Sequence, residues 1–147
     1  MTYFYLLLAF LTGLAITVQA GVNASLRQAL AHPVLAATVS FGAGFLSLLL
    51  VVLASGYSLP AGVSLRAVPW WKWTGGVIGA VYVTTVIVSV PKIGAANLVS
   101  LSVAGQLLAA VVLDHYGLLG FSPHPANGWR LLGLVLIVAG AVLVVRN

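Results

Sequence analysis

The chain reads as five long apolar runs, over residues 3–25, 33–54, 73–90, 95–113 and 129–145, separated by short polar breaks. The runs are continuous and lack the apolar/polar alternation of barrel strands, so they predict helices facing lipid. A spanning helix takes roughly 20 residues, and each run is close to that length. The breaks carry the punctuation expected of helix ends. The first run stops near Arg27, and Pro33 opens the second, where a missing N–H costs nothing. Gly56, Pro60, Gly62 and Pro69 mark a loop before Trp70-Trp71-Lys72-Trp73. Pro91-Lys92 closes the third run, Asp114-His115-Tyr116 the fourth, and Trp129-Arg130 opens the fifth after a loop holding Pro123 and Pro125. Tyr3, Phe4 and Tyr5, with the tryptophans of residues 70–73, suit the headgroup boundary. The prediction is an all-α integral membrane protein, a five-transmembrane-helix bundle forming a single domain over residues 1–147.

Composition removes the alternatives. Of 147 residues 62% are apolar and 5% charged, against roughly a quarter charged in a soluble domain. So few charges cannot clothe a surface in water, and membrane lipid is the implied surrounding. Five helices consume about 100 positions, which leaves no room for a separate soluble domain. The +5 net charge comes from cations placed singly (Arg27, Arg66, Lys72, Lys92, Arg130, Arg146), not from a nucleic-acid-binding patch. Cysteine is absent, so there are no disulfides or thiolate metal sites. Val18-Gln19-Ala20 resembles a signal-peptidase site, but residues 1–5 carry no positive side chain, so the segment reads as a retained first helix.

With five spans the termini face opposite sides. Arg27, Lys92 and Arg146 then fall on one side and Arg66, Lys72 and Arg130 on the other, three against three. The positive-inside rule gives almost no preferred orientation. Either the N-terminal helix or one dominant charge fixes a single topology, or both orientations insert and the chain pairs with an inverted copy.

Polar residues inside the runs are few and informative, because lipid does not solvate them. Thr12, Gln19 and Asn23 share a face of the first helix; Gly75, Gly79, Tyr82, Val86 and Ser89 form a stripe on the third. On the fourth, Asn97, Ser100 and Ala104 line one face, with Ser102 and Gln106 roughly opposite. Ser40, Ser47, Ser100 and Ser102 are explained by bonds to their own helix or by packing where helices approach closely, and Gly75 and Gly79 by close packing. A carboxamide cannot satisfy itself that way. Gln19, Asn23, Asn97 and Gln106 therefore either tie helices together or line a polar cavity for a small-molecule substrate. Tyr82 is either a core aromatic or a wall of that cavity.

No acid lies mid-membrane; Asp114 falls at a helix end, and His32, His115 and His124 lack metal-ligand spacing. No nucleophile–base pair, metal box or phosphate loop is present in the sequence, so an enzyme is not expected. No cofactor or metal is implied.

Several segments together resemble a known family. They are Gln19-Ala20-Gly21-Val22-Asn23, Pro91-Lys92-Ile93-Gly94-Ala95-Ala96-Asn97, Ala104-Gly105-Gln106-Leu107-Leu108, Asp114-His115-Tyr116-Gly117 and Arg130-Leu131-Leu132-Gly133. Their order and spacing resemble the YdcZ-like branch of the drug/metabolite transporter (DMT) superfamily, over essentially the whole chain. The resemblance implies a bacterial inner-membrane exporter half, one DMT-type repeat, in a superfamily whose longer members fuse two halves in inverted orientation. An antiparallel homodimer of dual topology would reproduce that geometry, with a site near the midplane. The small multidrug-resistance branch is similar in size but uses a first-helix glutamate for proton-coupled cation export. Here no acid lies in the first helix, so a neutral or anionic substrate, or passive exchange, fits better.

Three functional readings follow. The first is a transporter working by alternating access as a dimer, with Gln19, Asn23, Tyr82, Asn97 and Gln106 binding substrate. The second is a non-transporting scaffold or subunit in which the carboxamides only hold helices together. The third is an obligate partner of a related chain of opposite topology.

Overall fold

In a computed structural model the described residues are 2–58 and 64–146. The loop markers Pro60 and Gly62, the terminal Asn147 and the side chain of Arg66 lie outside them. Five α-helices follow in order: α1 (Thr2–Leu30), α2 (Pro33–Ala54), α3 (Thr74–Ile93), α4 (Ala95–Tyr116) and α5 (Gly128–Arg146). No strand occurs among the described residues. All five are long and apolar enough to cross a membrane.

Several ends differ from those the sequence suggested, each for a local reason. α1 runs on to Leu30 and breaks only where Ala31 takes a positive φ of 54° ahead of Pro33, the first residue of α2. α3 runs through Pro91 to Ile93, where the sequence placed its end at Val90. A proline this late removes a single donor and leaves the rest of the last turn intact. α4 continues past Leu113 to Tyr116 and stops at Gly117, whose left-handed φ of 60° closes the helix by donating its N–H to the Asp114 and Leu113 carbonyls.

The chain divides into two units, Met1–Lys92 and Ile93–Asn147. In the first, α1 and α2 form a helical hairpin joined by Ala31 and His32. Small residues line its buried face: Ala20 and Ala24 on α1, Ala36 and Ala37 on α2. Small side chains let helix backbones approach, the usual basis of packing where lipid competes with every apolar face. Ile87 of α3 is wholly buried against Ala36 and Ala37, with Leu26 and Val83 packed around them. Phe41 of α2 lies over Gly79 of α3, where an added Cβ would stand 3.6 Å from its ring. Gly75, one turn earlier, has open space above it, so only one end of that glycine pair meets a neighbour. Between α2 and α3, residues 70–73 form a short 3₁₀ turn whose tryptophans are exposed, with Lys72 Nζ 5.5 Å from the Trp71 ring centroid.

In the second unit α4 and α5 form another hairpin, with residues 107, 110, 111 and 114 facing 130, 133, 134 and 137 around a cleft of about 230 Å³. Both sets repeat at three and four residues, the spacing that keeps one face of a helix in register with its neighbour. In both units most large apolar side chains, such as Leu48, Leu50, Val77 and Leu136, are open to the surroundings. That is the surface lipid or another membrane helix would cover.

Candidate functional site

The first unit holds an arginine in an unusual position. Arg27 lies in the last turn of α1, half-buried, and its Nη1 donates to the main-chain oxygen of Ile87 on α3 at 3.2 Å. In a helix that oxygen would accept from the N–H of residue 91. Residue 91 is proline and has no N–H. The guanidinium therefore supplies the donor that Pro91 removes, which explains how α3 carries an internal proline in an apolar setting. One turn back along α1, Asn23 is 4% exposed, the one buried polar residue among those described. Ala20, Asn23, Ala24 and Arg27 thus make one continuous face of α1.

Asn23 has its stem buried, and no hydrogen bond joins its carboxamide to another described residue. Among the described residues, however, no fully enclosed side-chain nitrogen or oxygen is left without a partner. The polar tip of Asn23 therefore still reaches the surface of the unit.

The five residues picked from the sequence are placed very differently. Gln19 shares its helix face with Asn23, but Gln19 is exposed and Asn23 is not. Tyr82 is 38% exposed, one turn before the buried Val86 on α3. In the second unit Asn97 is partly buried near the start of α4 and Gln106 is exposed at its middle. Nine residues apart, they point to opposite sides of α4, about 180° around its axis. The first unit thus gathers Asn23 and Arg27, and α4 does not gather its two carboxamides. None of the five lines the α4/α5 cleft, nor the groove of about 460 Å³ that runs along Val77, Val81, Thr84 and Val88 of α3.

The hydroxyls behave as their chemistry suggests. Thr12, Thr17, Thr38, Ser47, Thr84 and Ser100 each donate to the carbonyl four residues back on their own helix. Such bonds satisfy the group inside an apolar helix without any ligand. Ser40 and Ser102 make no such bond to described residues.

The second unit uses its charged groups to close a loop. Asp114 Oδ2 lies 3.5 Å from Arg130 Nη2, and Arg130 Nη1 donates to the His124 carbonyl at 2.9 Å. The His124 N–H donates in turn to the main-chain oxygen of Asp114 at 2.8 Å. The Ala126 N–H donates to His115 Nδ1 at 3.0 Å, which fixes the tautomer with its proton on Nε2. Asn127 caps α5, its Oδ1 accepting from the Arg130 N–H at 2.9 Å. Residues 117–127 are laced to the ends of both helices by these bonds. These contacts give Asp114 a structural role at the end of α4.

Arg27 was read from the sequence only as a helix-end cation. The signal that could have singled it out was present: a proline within an apolar helix strands a carbonyl four residues earlier, and that carbonyl needs a donor from elsewhere. What the sequence did not carry was which donor α3 would meet.

The profile of the family described as "Putative inner membrane exporter, YdcZ" matches residues 4–143. One similar protein is the "Inner membrane protein YdcZ" of Escherichia coli (strain K12), 33% identical over 86 residues. That alignment covers 58% of this chain and 57% of the relative, so less than two thirds of the relative's length is matched. No solved structure matches the chain.

Proposed function

We propose, because the chain belongs to the YdcZ inner-membrane exporter family, that it moves a small molecule across the membrane by alternating access. It is a multi-pass inner-membrane protein with five helices able to span. The working unit is an antiparallel homodimer, each copy contributing one five-helix repeat. The three-against-three division of basic residues in the sequence supports this arrangement: Arg27, Lys92 and Arg146 close α1, α3 and α5, whereas Lys72 and Arg130, which the sequence groups with Arg66, stand at the starts of α3 and α5. Odd-numbered units in opposite orientations create a two-fold axis in the membrane plane.

The observation that carries the reading is Asn23. Asn23 is 4% exposed, and its carboxamide tip opens at the surface of the unit without a partner among the described residues, where an apolar surrounding leaves its hydrogen bonds unmade unless something else meets it. A substrate passing along α1 would do so. Gln19 and Tyr82 are further candidates from the same unit, and Asn97 and Gln106, on opposite sides of α4, stay separate candidates for surfaces that a second copy would complete. Purified protein reconstituted in liposomes tests this directly. Asn23→Leu should lower solute flux by at least about tenfold while leaving dimer assembly intact. Unchanged flux would remove Asn23 from the site, and loss of assembly with no flux in the native protein would favour the scaffold reading.

The dimer has its own test. The chain has no cysteine, so Asn147→Cys can be labelled in intact and permeabilised cells on a clean background. Labelling from both sides in comparable fractions supports antiparallel pairing; labelling from one side only excludes the inverted homodimer and leaves a related chain of opposite topology as the partner.

A further inference from the structure

We propose that Arg27 and Asn23 form a binding site for an oxyanion, a carboxylate or phosphate group, at the junction of α1 and α3. The argument starts from charge. The chain has a single acidic side chain, Asp114, and it is paired with Arg130. Arg27 is half-buried, and among the described residues no carboxylate pairs with it. Its bond to the Ile87 carbonyl satisfies one donor but neutralises no charge. A partly desolvated cation without a counter-ion is unfavourable, and the deficit disappears when an anion arrives.

Geometry adds the second half. A guanidinium presents five N–H donors in a planar fork, so four remain after the bond to Ile87. That fork matches two oxygens of a carboxylate or phosphate. Asn23 lies four residues earlier on the same helix face, within reach of the same ligand. It is 4% exposed with an unpartnered carboxamide, and its NH₂ would donate a further bond. Ala20 and Ala24, also buried, keep the face narrow and free of competing polar groups.

The position suits entry from the water boundary. Ile87 lies six residues before the end of α3 at Ile93, about 9 Å along the axis. The site is therefore near the headgroup level rather than at the bilayer centre. It also sits on the proline turn of α3, so one guanidinium serves both the anion and the carbonyl that Pro91 strands. An anion drawn to Arg27 competes for, or stiffens, the donor that holds that turn.

The site rests on the transporter reading only in what the anion is for: as substrate, it makes the cargo a small carboxylate or phosphate compound. The experiment reads binding without flux, so its failure leaves that reading untouched. The full chain is placed in nanodiscs of phosphatidylcholine, and its melting temperature is followed with sodium acetate and inorganic phosphate. Sodium chloride and tetramethylammonium chloride at equal ionic strength are the controls. A second set of discs contains phosphatidylglycerol.

Removing Arg27 alone would also strand the Ile87 carbonyl, so the decisive variant is the double change R27Q/P91A. An alanine in place of Pro91 restores the N–H, and the helix no longer needs the guanidinium. We expect acetate or phosphate to raise the melting temperature of the native chain and of P91A by a similar shift. The shift should vanish in R27Q/P91A and need roughly ten- to a hundredfold more anion in N23L. If phosphatidylglycerol alone stabilises, and does so only with Arg27 present, the oxyanion site stands and its occupant is a lipid headgroup. If neither free oxyanion nor anionic lipid gives an Arg27-dependent shift, the proposal is overturned.

Discussion

Two arginines near helix ends, Arg27 and Arg130, each donate to a main-chain carbonyl, yet they are in different electrostatic circumstances. Arg130 has the chain's one acidic side chain beside it, and its bonds are absorbed in fastening residues 117–127. Arg27 has a carbonyl and no acid. The same side chain is thus a closed structural tie in one unit and an open group in the other. Local bonding, not residue type, separates them. A cation with its countercharge already present has nothing left to recruit, whereas one without it remains a binding element.

The sharpest way to break this contrast is to remove Arg27. Arg27→Gln should destabilise the folded chain by about 1–3 kcal/mol, the usual cost of leaving a buried carbonyl without its charged donor. Followed by thermal melting in detergent, the loss should largely disappear when Pro91→Ala is added, since residue 91 then supplies the N–H. An equal loss with and without Pro91 would mean that Arg27 acts by packing or charge alone, and the link between the two residues would be wrong.

That link shows what the sequence could and could not reveal. Five helices were legible because uninterrupted apolar runs of spanning length admit few other structures. Helix ends were less so. Pro91 is a sound stop signal in water, but in α3 the helix continues to Ile93 because a neighbouring helix replaces the lost donor. The site was legible only in part. Asn23 stands out by chemistry alone, but Gln19 carries the same carboxamide on the same face and is exposed. Periodicity gives a face, not the depth to which each turn of it is covered. Arg27 and Arg130 were indistinguishable as helix-end cations, because their partners come from segments 60 and 16 residues away.

A second prediction tests the closed unit. Gly117 has a φ of 60°, and a Cβ there would stand 2.8 Å from Pro123 Cγ. Gly117→Ala therefore meets both the left-handed penalty, about 1–2 kcal/mol, and a contact that a proline ring cannot easily yield. Melting should fall accordingly, and the loop should become more accessible to protease. If the alanine variant melts as the native chain does, residues 117–127 are not held as tightly as their bonds imply.

Smaller effects follow at the cap. Asn127→Ala removes the acceptor for the Arg130 N–H at the start of α5 and should cost about 1 kcal/mol. Replacement by Asp or Ser should recover most of that. A loss that persists with Asp and Ser would point to a role for the amide nitrogen, which the cap does not use.

The smallest expected effect is the most pointed test of the comparison. Asp114 and Arg130 are 3.5 Å apart with side chains 26% and 39% exposed, so solvent screens much of their attraction. Asp114→Asn keeps the main-chain oxygen that accepts from His124 and should cost less than about 1 kcal/mol. Solute flux should be nearly unchanged, because a carboxylate used to tie a loop carries no transport chemistry. Should Asp114→Asn instead abolish flux with little loss of stability, the assignment of the two regions would reverse. The unit with the paired charges would then be the working one, its ion pair opening during transport, and Arg27 would be left as a helix tie.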